Sequence, residues 1–143
     1  METAVAEAVK KIEVAEHDPD LRITRRIEIR SVVQQGDVYL HRVATDHTHG
    51  KQIGAGAVQI ALGTGNGARH MAEGAVEVFE GRALPDYVTP PMDVDPSEIT
   101  GPLVIATEMW LLTHPEHPLH RLPAGCYQVS YQFDPQTMRR VAD

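Results

Sequence analysis

Disulfides are the first absence: the chain of 143 residues has a single cysteine, Cys126, so no intramolecular disulfide can form. A secreted, disulfide-stapled scaffold is thereby excluded, and a reducing compartment fits best. Aromatic residues make up only 5% of the chain, and no run approaches eighteen consecutive apolar residues, so no helix is expected to span a membrane. The residues following Met1 are acidic and alternating, without the basic and apolar regions of a secretory signal. Cations are also scarce. Thirteen Lys and Arg stand against twenty Asp and Glu, and the formal charge of −7 argues against non-specific binding to nucleic acid, which needs clustered cations to displace phosphate counterions.

What is present suits one domain. Hydrophobic residues make up 42% and charged residues 23%, enough for a core without structural metal. Residues 3 to 17 place Val5, Ala8, Val9, Ile12 and Ala15 at helical spacing, with Glu7 and Lys11 four apart, and predict an amphipathic helix. His17-Asp18-Pro19-Asp20 ends it, because proline disfavours helical backbone in the residue before it. The period then changes to two. Leu21, Ile23, Ile27, Ile29 and Val33 alternate with polar residues, broken only by Arg25, and predict one long strand.

Short β-like runs follow, at Val38 to Val43, Ile53 to Leu62, Ala75 to Phe79, Leu103 to Leu112 and Cys126 to Phe133. Turn-forming stretches separate them, and Asp134-Pro135 reads as the cap of a closing helical turn through Val141. Residues 81 to 102 hold five of the ten prolines, Pro85, Pro90, Pro91, Pro96 and Pro102, and predict a long ordered arm or a flexible loop reaching a neighbour. The expected fold is mainly β: a compact antiparallel sandwich or barrel-like domain over residues 35–143, with an N-terminal helix and extended strand arm over 1–34.

Four arrangements bear on chemistry. Gly63, Gly65 and Ala68 follow an apolar run, but no crossover helix fits before the next strand and no phosphate-binding Gly-Lys-Ser occurs, so a plain turn is the better reading. His114, His117 and His120 recur every third residue, with His70 as a fourth imidazole; this is the alternative reading, a metal-binding β domain. Pro115 and Pro118 prevent a helix there, so spacing alone does not bring the rings together. Ser31, Ser97 and Ser130 lack a Gly-x-Ser-x-Gly elbow, Cys126 begins an apolar strand where burial keeps a thiol inert, and the acids Asp93, Asp95, Glu77 and Glu80 read as solvated surface. No catalytic residue and no cofactor is assigned, and the chain reads as a non-enzyme. Last, Arg22, Arg26 and Arg30 stand four apart, roughly 13 Å on a strand, a spacing suited to an acidic neighbour or to guarding an edge. With Ile23, Ile27, Ile29, Pro90 and Pro91 they form the candidate partner interface.

From Gln35 onward the sequence resembles a small family of bacteria and their phages. The residues that carry the likeness are Gln35-Gly36-Asp37-Val38, Gly63-Thr64-Gly65-Asn66-Gly67-Ala68-Arg69-His70, Leu112-Thr113-His114-Pro115-Glu116-His117-Pro118, Leu122-Pro123-Ala124-Gly125-Cys126-Tyr127-Gln128-Val129 and Arg139-Arg140-Val141-Ala142-Asp143. In the second stretch the family pattern has a histidine pair, of which this chain keeps only His70. More loosely, the whole is similar to bacteriophage capsid decoration, or cement, proteins. That resemblance implies a structural protein of the virion surface, assembled in the host cytoplasm. Its implied partners are the major capsid protein or other virion subunits and further copies of itself, with no nucleic acid and no membrane.

Overall fold

Strands dominate the described residues, in runs that include β-branched side chains, such as Val38–Val43 and Thr100–Thr113. The computed structural model describes residues 21–61, 69–137 and 139–141. The strands are β1 (Arg22–Ile23), β2 (Val32–Gln35), β3 (Val38–Val43), β4 (His49–Ala61), β5 (His70–Gly81), β6 (Thr100–Thr113), β7 (His120–Leu122), β8 (Gly125–Tyr131), β9 (Phe133–Asp134) and β10 (Arg139–Arg140). One 3-10 turn, Pro96–Glu98, is capped by the Asp95 carboxylate, which accepts from the Ser97 amide. The predicted helix over 3–17 lies outside the described residues. Among the described residues, no helix is long and apolar enough to cross a membrane.

Eight strands form one curled sheet, a half-barrel, in the order β1-β7-β6-β8-β3-β2, with β4 joined through β5 to β6. β6 organises it. One edge of β6 pairs with β5 along nearly its whole length, from Met71↔Thr113 to Phe79↔Leu103. Its other edge is shared, with β8 along Thr100 to Ala106 and β7 along Trp110 to Leu112. Register shifts between Gly74 and Val76 and along β4 supply the irregularities by which a sheet curls. Gly74 takes φ 131, backbone that a side chain would strain. The pairing is mixed, not purely antiparallel: β1 runs parallel to β7, Arg22 opposite His120.

The inner face of the curl holds the main core, where Val38, Leu40, Val104, Tyr127 and Val129 meet Ile60, Ala72, Trp110, Leu112 and Leu122. Trp110 stands edge-on to Tyr127 at 5.3 Å, an arrangement worth about 0.5–1.5 kcal/mol beyond the area buried. A second cluster of Val43, Leu103 and Cys126, with Phe79 and Ile105 against it, lies on the opposite face.

Three expectations need correction. Leu21 to Val33 is not one strand: β1 ends at Ile23, and a turn in which Ser31 N–H donates to Glu28 carbonyl precedes β2. Arg30 there takes φ 80, and the Ile27 side chain packs on the core. Arg25, the break in the alternation, marks where the strand fails, so Arg22, Arg26 and Arg30 share no strand face. The proline-rich stretch is not a free arm, since Pro85, Val94 and Ile99 are buried. Its last proline, Pro102, lies inside β6 at a register shift against β8, where a missing N–H costs least. Finally, Asp134-Pro135 opens no helix. Asp134 accepts from the Gln136 amide, a turn that leads into the β9–β10 hairpin.

Candidate functional site

Three chain segments that are remote in sequence meet at one place. The first is the tight β2–β3 turn, where Gln35 pairs with Val38 and Gly36 adopts φ 56. It presents Gln35 and Asp37, exposed by only 2% and 1%. The second is the start of β5, which supplies His70 (1% exposed) and Glu73. The third is the tip between β6 and β7, which supplies His114 and His117.

Hydrogen bonds fix the roles within this knot. The Gln35 amide nitrogen donates to the carbonyls of Leu112 (3.0 Å) and Pro118 (2.8 Å), which spends both its protons and holds the β6–β7 tip shut. Its oxygen therefore faces His70 Nδ1 at 2.9 Å as an acceptor. His70 Nε2 lies 2.9 Å from Asp37 Oδ1. Around this pair, the Glu116 amide donates to His114 Nδ1 at 3.0 Å, placing the neutral ring's proton on Nε2. Thr113 donates to Glu73 at 2.8 Å. The His70 and His114 ring centroids are 4.3 Å apart, His114 and His117 are 4.4 Å apart, and His117 stacks parallel to His70 at 5.9 Å.

Of the four imidazoles singled out from sequence, three are brought together and His120 is not. It sits on β7 opposite Arg22, where burial and then the guanidinium hold its pKa below the ordinary value. Both His70 nitrogens lie within hydrogen-bond distance of a side chain, Nδ1 of Gln35 and Nε2 of Asp37. Among the described residues, no group of three His, Cys, Asp or Glu side chains is disposed to hold a metal. The arrangement is a buried, hydrogen-bonded polar knot that ties the β2–β3 turn, the start of β5 and the β6–β7 tip together. His47 and His49 lie elsewhere, His47 Nε2 against the Ala83 carbonyl at 2.9 Å and His49 against Phe79 at 4.5 Å.

Sequence reasoning missed Gln35 and Asp37 as members of the site and missed a second polar pair, Ser130 with His41. Ser130 Oγ lies 2.7 Å from His41 Nε2, both buried. Their only sequence signal is a polar residue at an alternating position within a strand. His41 Nδ1 meets no hydrogen-bond partner, so no carboxylate orients the ring and a triad is not formed. The Cys126 thiol is buried at 0% exposure, and that burial raises its pKa against the opposing pull of Arg42.

The partner-interface candidates divide. Arg22, Ile23, Arg26, Ile29, Arg30 and Pro91 are exposed, whereas Ile27 and Pro90 are half-buried. Arg30 lies over the Tyr87 ring at 4.7 Å and 3.8 Å from the Asp86 carboxylate.

A family model described as Domain of unknown function (DUF8820) matches residues 34–132, more than half of the chain. No curated protein and no solved structure matches. Every residue of the histidine knot falls inside the matched range, and Arg22, Arg26 and Arg30 fall before it.

Proposed function

We propose that this chain, which belongs to the DUF8820 family, is a non-catalytic assembly protein that docks on acidic neighbours through the exposed side chains of the segment 22–32. One observation carries the reading. Among the described residues, the exposed large apolar side chains are Ile23, Ile29, Val32, Ile53 and Met92, and three of these five lie within ten residues of one another. The same stretch holds Arg22, Arg25, Arg26 and Arg30, all exposed, against a single acid, Glu28. A local charge of +3, from four arginines and one glutamate, thus sits in a chain whose formal charge is −7. Apolar side chains interleaved with arginine suit a desolvated interface, and the opposite charge is carried by the remainder of the same chain. The occupant these charges favour is a second copy. Capsid decoration, bridging shell subunits of a phage head, is the form of assembly that the sequence resemblance implies.

Sedimentation velocity tests it. The protein is expected to associate at low salt and to dissociate progressively as salt screens the arginines. The double substitution Arg22→Glu with Arg26→Glu is expected to leave a monomer under all conditions. A wild-type chain that stays monomeric at high concentration and low salt overturns the proposal.

A further inference from the structure

The proline-rich strap over residues 82–99 is anchored by the buried side chains Pro85, Val94 and Ile99. Its turns are closed from within: the Val88 amide donates to the Pro85 carbonyl at 3.0 Å, the Val94 amide to the Pro91 carbonyl at 3.2 Å, and the Asp95 carboxylate caps the 3-10 turn. Inward and outward positions interleave, so the strap that buries Val94 and Ile99 leaves Asp86, Met92, Asp93, Asp95 and Glu98 exposed. Met92, at 88%, is the most exposed of the large apolar side chains among the described residues. From Asp86 to Glu98 the chain has four acids and no Lys, Arg or His, a local charge of −4. This strap meets the arginine segment directly. Arg30 Nη1 lies 3.8 Å from the Asp86 carboxylate, and its guanidinium covers the Tyr87 ring at 4.7 Å. A positive and a negative segment therefore adjoin, and each carries exposed apolar side chains.

We propose that the surface receiving the arginine segment 22–32 is the strap 86–98 of a second copy, and that two copies close as a two-fold dimer in which this contact is made twice. The inference rests on the assembly reading and adds to it the receiving surface and the symmetry. A two-fold contact applies the same surface from both subunits, so that surface must complement itself. A patch of one sign repels its own copy, whereas a positive and a negative segment side by side exchange places under the rotation and attract. The Arg30 and Asp86 side chains are 64% and 90% exposed, so their pairing within one chain is screened by solvent and neutralises little of either segment. Arg22, Arg25 and Arg26 are exposed as well, as are Asp93, Asp95 and Glu98. Apolar contact accompanies the charge, with Met92 on the strap and Ile23, Ile29 and Val32 on the arginine segment. Because Pro85, Val94 and Ile99 already hold the strap, docking has little chain left to order there.

Charge exchange on the full chain, read by sedimentation velocity at low salt, tests it. One variant carries Arg22→Glu with Arg26→Glu. The other carries Asp86→Lys, Asp93→Asn and Glu98→Lys, which sets two lysines against Asp95, keeps the cap of the 3-10 turn, and places asparagine where the backbone takes φ 66. Circular dichroism verifies the sheet in both. Each variant alone is expected to be monomeric, because both of its contacts then oppose like charges. Mixed in equal amounts, the two are expected to form a 1:1 dimer: one contact joins the unaltered arginines to the unaltered strap, and the other joins the introduced acids to the introduced lysines. A strap variant that associates as the wild type does, or two monomeric variants that stay apart on mixing, overturns the proposal and leaves the assembly reading standing. A wild-type chain that is itself monomeric overturns both. Met92→Lys provides a check that is independent of whether the strap variant folds, since this side chain is 88% exposed. It is expected to weaken dimerisation about tenfold or more, and wild-type affinity in that variant overturns the proposal.

Discussion

Removing the Asp37 carboxylate by Asp37→Ala is expected to be among the most damaging single changes outside the apolar core. Asp37 and His70 are each 1% exposed and 2.9 Å apart, so the variant deprives a buried imidazole of its carboxylate partner. Breaking a buried pair by deleting one partner costs about 3–5 kcal/mol, against a total stability of about 5–15 kcal/mol for a typical domain. That corresponds to a melting point lower by roughly 10 °C for a chain of this size. His70→Leu is expected to cost a similar amount, because it removes the ring that meets both Asp37 and Gln35 inside the knot. The double variant is expected to cost less than the sum of the two by about 1–3 kcal/mol, since the contact between them is lost only once. Urea unfolding with a common m-value reads all four corners of the cycle. Additivity within about 0.5 kcal/mol would refute the reasoning, because it would mean that the two groups do not sense each other.

Other expectations are simpler. Trp110→Ala removes a fully buried indole at the centre of the core and is expected to cost about 3–5 kcal/mol in the same unfolding assay. Gly81→Ala places a Cβ 1.8 Å from the Gly101 carbonyl oxygen, a backbone atom that cannot swing aside. It is expected to destabilise by about 3 kcal/mol or more, read as a fall in the urea midpoint. Gln35→Leu strips the two carbonyls of the β6–β7 tip of their donor and is expected to cost about 1–3 kcal/mol and to speed amide exchange near residues 112–118.

The sheet was legible where apolar runs with β-branched residues are bounded by turn-forming stretches: the expected run Val38 to Val43 coincides with β3, and Leu103 to Leu112 falls within β6. β7 was not anticipated, as three residues are too few to show a period. Residues 21–33 misled for a subtler reason. The alternation there is real, but Ile27 reaches the core from a bend, not from a ladder, and backbone turns leave apolar spacing unchanged. The four histidines were legible as a composition and not as a site. Three were brought together by the meeting of distant turns, and Asp37 and Gln35 joined them through contacts 33 and 35 residues away in sequence. Nothing in the local pattern of a Gly-containing hairpin turn announces a partner so remote. The strap was expected to reach outward because prolines forbid regular structure, but an irregular segment packs inward equally well when it carries Pro85, Val94 and Ile99.

Amide hydrogen exchange across residues 21–35, compared between dilute and concentrated protein at low salt, tests the central claim most directly. The account predicts that protection at Ile23, Ile29 and Val32 rises with concentration and falls again when salt is added. Protection there that is independent of concentration, with mass increase arising through other surfaces or not at all, would contradict it.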